Sequence, residues 1–400
     1  MRTLVKLVCG LATVTLLAIN THAAGITQGD VVVVRIGDGS TALSANTAPV
    51  FLDEYTTSGS FVQTIAMPTS VSGLDLALTM SGNATAEGDL TISPDNQYLA
   101  LTGFNFGTGV ISPATTAATV VARSVGIVTV SSGAVNTSTA LNGTTANADP
   151  RSAVTANGTD IWMANSGGGM VYTTKGTVGA GTQLYTTLNN SRRANIFNPG
   201  SGNQLYFSDA SGSSFRLGTV GSGLPTTSGQ TLVNLPGFPT SGTVNGAQPY
   251  SFLFLAVGSS TPNVLYVSDA ANAFQPTGTD GVEKWSLVSG SWVNNGFISV
   301  PGVSNNVSGL SGFVDGSGNA QLFFTSGGGD GGPGLSQTNL LAYTDTAGYN
   351  AAPAGTVSTI AMAGANEVFR GVVIVVPEPS TIGLVGVGLV GLLAIRRRRS

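Results

Sequence analysis

One short pattern recurs through the middle of this 400-residue chain: an apolar and aromatic run that ends in a turn of small residues. Runs of this kind, bounded by glycine, serine and asparagine, are typical of β-strands and the turns that join them. A chain that repeats one strand and turn at intervals must fold as repeating β-sheet units. The five copies, of which the first is the weakest, are NQYLALTGFNFG (96–107), TDIWMANSGGG (159–169), NQLYFSDASGSS (203–214), NVLYVSDAANA (263–273) and AQLFFTSGGGDGG (320–332).

Every copy lies within a larger group of strand-like runs. A shorter apolar run precedes it, such as YSFLFLAVG (250–258) before the fourth copy. Two further runs follow, such as GVEKWSLVSG (281–290) and SWVNNGFISV (291–300). These groups of four recur every 40–65 residues or so, at roughly the spacing of the four-stranded blades of β-propellers. The sequence therefore predicts five complete blades.

The strands left over at the two chain ends predict a sixth blade. FRGVVIV (369–375) has the character of an innermost strand but no strands follow it, while DVVVVRIGD (30–38), PVFLDEYTTSG (49–59) and SFVQTIAMP (60–68) lack an innermost strand. Pairing the two ends would close the ring and leave no free sheet edge. We predict an all-β, six-bladed propeller of four antiparallel strands per blade, followed by a short C-terminal transmembrane helix. Seven blades and a two-sheet sandwich are the alternatives.

The N-terminus has the features of a secretory signal peptide. Arg2 and Lys6 precede a mostly apolar stretch at 7–19, and small residues flank a cleavage point after Ala23. Cleavage there would remove the only cysteine and the only histidine of the chain. Catalysis by Ser-His-Asp or Cys-His groups, and zinc sites built on cysteine or histidine, are therefore excluded for the mature protein.

Charged residues are scarce, at 8% of the chain, and unevenly placed. Two of the 15 basic residues lie in the signal peptide and four at the C-terminus, so that nine face 19 acidic ones in the exported part. That part carries a net charge of about −10 and no basic cluster, whereas nucleic-acid binding requires clustered lysine and arginine. We expect no nucleic-acid partner.

The C-terminus combines three elements in a fixed order: Pro377-Glu378-Pro379, an apolar run at 382–395, and Arg396-Arg397-Arg398-Arg399. As a helix the run would rise about 21 Å, less than the roughly 30 Å hydrocarbon core of a bilayer. The arginines hold its end on the cytoplasmic side. The sequence predicts a membrane anchor through residues 381–395 that presents the Pro-Glu-Pro segment outside the membrane. The chain thus divides into a signal peptide (1–23), a propeller-like domain (24–376) and an anchor segment (377–400).

These three elements together resemble the PEP-CTERM sorting signal of Gram-negative bacteria. In that family an exosortase-type membrane protease recognises the Pro-Glu-Pro motif, and the proteins accompany exopolysaccharide and biofilm production. The resemblance implies export from a Gram-negative cell, a transient inner-membrane anchor, and delivery to the cell surface or extracellular matrix. The stretch 31–68 is also similar to secreted, propeller-like bacterial proteins.

Four charged residues are candidates for a ligand site. Arg151, Arg193 and Arg370 occupy matching places at the starts of three inner strands, and Glu87 lies at a fourth. In a propeller these positions approach the mouth of the central channel, where arginines are able to bind a carboxylate or a sugar acid. The alternative is that each arginine pairs with an acidic residue of a neighbouring blade.

Calcium is a second candidate ligand. Asp209 and Asp269 recur in the turns after two repeats, and Asp315 to Asn319 and Asp330 lie among glycines. Oxygen-rich turns bind Ca²⁺, but none of these has the spacing of an EF-hand loop. Asp in such turns is also commonly hydrogen-bonded by its own backbone.

The aromatic residues divide into two sets. Trp162, Tyr206 and Tyr266 fall at one repeat position and are predicted to pack between blades. Trp285 and Trp292 lie on outer strands and are the better candidates for stacking on sugar rings, which requires that they be exposed.

The function that follows is that of an exported, non-catalytic binding or structural protein whose partners are an exosortase-type protease and an extracellular polysaccharide. The competing class is a propeller hydrolase or lactonase that uses a channel-bound divalent metal. That class requires Glu87, Asp89 and acids of other inner strands to lie within metal-binding distance at one mouth. A protein-binding scaffold is a third option.

Overall fold

A computed structural model describes residues 24–143, 149–209, 215–240, 248–269, 281–300, 307–326 and 338–376. Nearly all regular structure in these ranges is β-strand, with one 3-10 turn at Pro113–Thr115. The described ranges contain no helix that is both long and apolar enough to cross a bilayer. The signal peptide, the anchor segment and Asp330 lie outside the described residues.

The strands form six four-stranded antiparallel blades, as the repeats predict, and neither the seven-bladed nor the sandwich alternative is correct. Blades are numbered from the N-terminus. From innermost to outermost strand, blades 1 to 3 are Val368–Ile374, Val31–Ile36, Val50–Tyr55 and Phe61–Ala66; Thr91–Ile92, Tyr98–Phe104, Arg123–Thr129 and Val135–Leu141; and Pro150–Thr155, Asp160–Asn165, Gly169–Thr174 and Thr182–Gln183.

The remaining blades follow the same order. Blades 4 to 6 are Ser191–Phe197, Gln204–Asp209, Leu217–Val220 and Leu232–Asn234; Pro249–Leu255, Val264–Asp269, Gly281–Val288 and Ser291–Ser299; and Val307–Val314, Ala320–Ser326, Asn339–Asp345 and Val357–Met362. Val178–Gly179 adds a short parallel strand to the edge of blade 2, and Thr47–Ala48 pairs with Met80–Ser81 outside the blades.

Blade 1 is built from both ends of the chain, as predicted. Its innermost strand comes from the C-terminal side and pairs antiparallel with the first strand of the chain, with Val31 opposite Ile374 and Ile36 opposite Val368. These valines and isoleucines are buried, so that the closure is held by apolar packing as well as by backbone hydrogen bonds. The first strand of the chain therefore has a partner strand on each side, and the ring is closed.

The core lies between adjacent blades. Trp162, Tyr206 and Tyr266, which share a repeat position, are 1%, 6% and 1% exposed, which confirms the predicted packing role. Burial of one aromatic side chain removes 150–250 Å² or so of surface from water, so these residues dominate the contacts between blades.

One buried ion pair joins blades 5 and 6. The Lys284 Nζ atom lies 2.6 Å from Asp345 Oδ2, and the Tyr266 hydroxyl donates a hydrogen bond of 2.7 Å to the same oxygen. Lys284 also donates to the carbonyl of Gly348. These contacts hold the pKa of Asp345 below its usual value, against the opposing effect of burial. The repeat pattern does not predict this ion pair, because Lys284 and Asp345 lie on two different blades, on the third strand of each.

Candidate functional site

A short segment closes the central channel. Blade 2 has an inner strand of only two residues, and we call the residues just before it, 85–90, the channel plug. The Gly371 N–H of blade 1 donates a hydrogen bond of 2.8 Å to the Gly88 carbonyl, and the Asp89 N–H donates one of 3.3 Å to the Arg151 carbonyl of blade 3. The plug is thus tied by its backbone to both neighbouring blades.

The Asp89 side chain extends the plug to the far side of the ring. Its Oδ1 atom accepts a hydrogen bond of 3.0 Å from Arg193 Nη1 of blade 4 and one of 3.3 Å from the Ser251 hydroxyl of blade 5. Arg193 Nη1 also donates to Ser251 Oγ at 2.6 Å. A single carboxylate therefore links three blades that are not all neighbours in the ring.

Two glycines make room for the plug. A Cβ atom on Gly371 would lie 2.1 Å from the Leu90 nitrogen and 2.6 Å from the Gly88 carbonyl oxygen, which no side chain tolerates. Gly88 itself has a φ of 83° and lies against the side-chain carbons of Arg370. This left-handed conformation is readily adopted only by glycine, and it turns the chain into the channel. The sequence predicts an inner strand over 88–95, but this turn shortens it to Thr91–Ile92.

The second carboxylate of the plug, Glu87, is buried and has a raised pKa. Burial, reinforced by the negative charge of Asp149, raises the pKa of Glu87 to about 8. Hydrogen bonds from the Ser81 N–H and hydroxyl, at 2.8 and 3.0 Å, and the positive charge of Arg370 act in the opposite direction. Burial also raises the pKa of Asp89, although Arg193 lowers it. Desolvation therefore dominates the electrostatics of the plug.

This raised pKa predicts a specific pH dependence of stability. Unfolded Glu87 titrates near 4.5 and folded Glu87 near 8, so the folded state binds more protons between these values and loses stability as the pH rises. The loss is about 3–5 kcal/mol by pH 9. We expect Glu87→Gln to remove this part of the pH dependence. Urea denaturation of both proteins at pH 5, 7 and 9 measures it, and two parallel stability profiles would contradict the prediction.

The Arg151 guanidinium has weaker side-chain partners than that of Arg193. Its Nη2 atom lies 3.9 Å from Asp149, too far for a hydrogen bond, and its Nε and Nη1 atoms are buried with no hydrogen-bond partner. Burial and the positive charge of Arg192 lower the pKa of Arg151 to about 10. A guanidinium with unused donors beside a second cation is suited to bind an anion.

A small cavity of about 20 Å³ lies beside the plug, with Glu87 and Asp89 in its wall. Arg192, which the sequence reasoning missed, lines it and donates a hydrogen bond of 2.7 Å to the Tyr250 hydroxyl while its guanidinium lies over the ring of that tyrosine. Its neighbour Arg193 pairs with the plug instead. The wall is completed by Thr85, Ala86, Glu87, Asp89, Ser251, Ser308, Gly309 and Gly371.

The structure brings the four predicted channel residues together. Glu87 is in the plug, the Arg193 side chain contacts Asp89, the Arg370 side chain lies against Gly88, and Arg151 meets the plug through its backbone carbonyl; all four side chains are buried. Arg193 has the internal partner that the alternative proposed, but this partner belongs to a blade two places away rather than to an adjacent one. Ligand binding by these residues stays a prediction.

The two remaining tryptophans do not have the exposure that stacking on a sugar requires. Trp285 and Trp292 are 3% and 6% exposed. The Trp285 ring packs on Phe238 at 4.8 Å between centroids, and Trp292 packs on Phe254 at 5.5 Å. The indoles are covered by blade 5 itself and by the segment that follows blade 4, which includes Leu235 and Phe238, so they are not open for stacking on a sugar ring.

The acidic turns considered for calcium are engaged by the protein itself. The Asp269 carboxylate accepts hydrogen bonds of 2.9 and 3.0 Å from the Gln248 N–H, and Asp315 accepts from the Asn319 N–H at 2.9 Å. Asp209 accepts a bond of 3.4 Å from the Ser191 hydroxyl. Calcium binding at these turns stays a prediction.

Comparison with known proteins bears on the C-terminal segment. Residues 375–399 match the family described as the PEP-CTERM protein-sorting motif. The chain carries a PEP-CTERM sorting motif. The motif implies that the protein is exported and that an exosortase processes it while it is anchored at the membrane. The matched residues are about one sixteenth of the chain, so the motif describes the delivery of the propeller and not its activity.

The propeller body itself has only distant counterparts. No curated protein matches the chain significantly. Among solved structures, a proposed 6-phosphogluconolactonase from Bacteroides uniformis is 14% identical, with a TM-score of 0.42 over 84% of this chain and 83% of the other. AofleA from Arthrobotrys oligospora is 12% identical, with a TM-score of 0.40 over 85% and 92%. The NanB sialidase from Streptococcus pneumoniae is 10% identical, with a TM-score of 0.34 over 80% and 58%. Similarities this low transfer no activity.

The metal-dependent alternative is not favoured by the channel geometry. It required at least three carboxylates or equivalent ligands at one mouth. Within the described ranges, no group of three or more His, Cys, Asp and Glu side chains is placed to hold a metal ion. Instead, the Asp89 carboxylate binds Arg193, and Glu87 accepts hydrogen bonds from Ser81.

Proposed function

We propose that the mature protein is a non-catalytic binding or structural component of the extracellular layer, associated with exopolysaccharide or biofilm. In this proposal the host is a Gram-negative bacterium, residues 381–395 anchor the chain in its inner membrane, and exosortase processing then delivers the propeller to the cell surface or matrix. The PEP-CTERM motif is the observation that carries the proposal. The low charge and many hydroxyl side chains of the body suit a hydrated glycan environment.

We propose further that the channel mouth holds the carboxylate of an acidic sugar. Support comes from Arg151, whose guanidinium keeps two buried donor atoms without partners, and from Arg192, whose charge acts on Arg151 and which lines the cavity beside the plug. At about 20 Å³ this cavity has room for little more than one water-sized group. It suits the carboxylate group of the sugar and not the sugar ring. Protonated Glu87 favours binding of the anionic sugar, because an ionised Glu87 carboxylate beside the site would repel it.

Binding of hexagalacturonate tests the role of Arg151. We expect Arg151→Met to weaken binding about tenfold or more at pH 6, because hydrogen bonds to charged groups contribute roughly 1.5–3 kcal/mol each. Calorimetry measures the affinity of the processed protein, and the melting temperature shows that the variant is folded. The matched control is Arg123→Met. Arg123 is also buried and its pKa is lowered to about 10 by burial, against the negative charges of Asp149 and Glu87, but its guanidinium donates to backbone carbonyls, including that of Thr116, rather than to the plug.

Unchanged affinity in a folded Arg151→Met protein would remove the acidic-sugar site. Equal losses in the Arg151 and Arg123 variants would assign the effect to general destabilisation and would also contradict the proposal.

A further inference from the structure

A large groove lies between the outer strands of blades 5 and 6, away from the channel. Its volume is about 540 Å³. One wall is formed by the end of the outer strand of blade 5, residues 297–300, and the other by the third and outer strands of blade 6. The wall along blade 6 follows Asn339 to Tyr343, which corresponds to about 14 Å of extended strand. The groove is therefore large enough for several linked rings rather than one.

The lining combines apolar surfaces with uncharged polar groups. Phe297, Leu341, Tyr343 and Pro353 supply the apolar surfaces. The polar side chains are those of Ser299, Ser326, Asn339, Thr356 and Thr359, and no charged side chain is among the described residues of the wall. A phosphate or carboxylate ligand would find no cation here. A neutral sugar, with apolar C–H faces and hydroxyl edges, matches both kinds of surface.

Two polar atoms in the groove are buried without partners. Ser326 is 1% exposed, and its hydroxyl oxygen has no hydrogen-bond partner; the Asn339 Oδ1 atom is likewise buried and unpartnered. These residues are directly opposite each other on adjacent antiparallel strands, so their side chains project from the same face of the blade. Leaving such groups unsatisfied is destabilising, and a ligand able to hydrogen-bond with them would offset that cost.

The chemistry of these two groups favours a hydroxyl-bearing ligand. The Asn339 Oδ1 atom only accepts hydrogen bonds, whereas the Ser326 hydroxyl both donates and accepts. A sugar hydroxyl also does both, so adjacent hydroxyls of one ring are able to satisfy the pair. The geometry points to this groove as a binding site for a neutral saccharide chain, distinct from the channel mouth. The inference rests on the proposed function in taking an extracellular polysaccharide as the partner, and it adds a second site of different chemistry.

Two neighbouring positions on the outer strand of blade 6 provide a matched test. Thr359 lines the groove, while Ser358 precedes it in the strand and faces the opposite side; both side chains are exposed. We expect Thr359→Trp to fill the groove and weaken binding of neutral saccharide at least tenfold. Ser358→Trp adds the same bulk to the same strand and should change the affinity less than twofold.

A second variant removes the polar groups instead of blocking the groove. Ser326→Ala combined with Asn339→Ala should weaken binding about tenfold, as expected for the loss of two hydrogen bonds. Because neither atom has a partner in the free protein, the melting temperature should not fall through loss of an internal hydrogen bond. This separates a binding role from a structural one.

The probes are neutral hexasaccharides of glucose, galactose and mannose, in α- and β-linked forms, tested by calorimetry on the processed protein. The inference predicts that at least one of them binds and that its affinity falls in Thr359→Trp but not in Ser358→Trp. Binding of none, or equal losses in both tryptophan variants, would overturn it. Hexagalacturonate separates the two sites, because its binding should respond to Arg151→Met and not to Thr359→Trp. If the protein binds hexagalacturonate but none of the neutral hexasaccharides, the proposed function stands and this inference alone is wrong.

Discussion

Replacing Arg193 with methionine is expected to lower the free energy of unfolding by about 3–5 kcal/mol, because the Asp89 carboxylate would remain in the channel without its cation. The arginine side chain is 4% exposed and that of the aspartate 14%, so water replaces little of the lost interaction. Burial lowers the pKa of Arg193 and raises that of Asp89, which shows that both charged forms are held at a desolvation cost. Urea denaturation at pH 7 measures the change.

A double-mutant cycle separates the interaction between Arg193 and Asp89 from the effect of losing side-chain volume. Asp89→Asn in the Arg193→Met background removes the stranded carboxylate, so the double variant should be more stable than the sum of the single losses by about 2 kcal/mol. Arg192→Met is the matched control on the same strand, since Arg192 donates to the neutral Tyr250 hydroxyl. It should cost about 1 kcal/mol. Additive losses at 89 and 193 would show that the plug is held by its backbone alone.

The second large effect concerns sorting. Replacing Pro377, Glu378 and Pro379 with alanine should abolish processing and leave the full-length chain in the membrane fraction, because the apolar run and Arg396–Arg399 would still anchor it. The control replaces Ser380 and Thr381 with alanine, which changes the adjacent residues and keeps the motif. It should be processed like the natural protein. Immunoblots of membrane and external fractions measure the outcome.

The repeating part of the fold is predictable from the sequence because each blade reuses one strand and turn. The alternation between apolar runs and small-residue turns locates five blades, and the unpaired runs near Val31 and Arg370 predict how the ring closes. Val31–Ile36 is apolar at almost every position, as expected for a strand buried on both faces, and five of its six residues are fully buried by neighbouring blades.

The channel plug could not be predicted because it breaks the repeat. Residues 88–95 align with inner strands of other blades, but the chain is left-handed at Gly88 and the strand is limited to Thr91–Ile92. Its partners, Arg193 and Ser251, are separated from Asp89 by 104 and 162 residues. No local pattern encodes such a contact.

The burial of the two tryptophan side chains of blade 5 could not be predicted from the sequence. Trp285 and Trp292 lie on the third and outer strands of blade 5, where position in the blade suggests contact with solvent. Their rings instead fill the space against Phe238 and Phe254. The groove between blades 5 and 6 was missed for the related reason that its walls come from two repeats. Ser326 and Asn339 do not stand out in the sequence as polar groups without partners.

Intact-mass spectrometry of the protein recovered from outside the cell tests the account most directly. An exported propeller released through its sorting motif should end close to Pro377-Glu378-Pro379, with signal peptide 1–23 also absent. A mass that still includes the apolar run 382–395 and the terminal arginines would contradict the account.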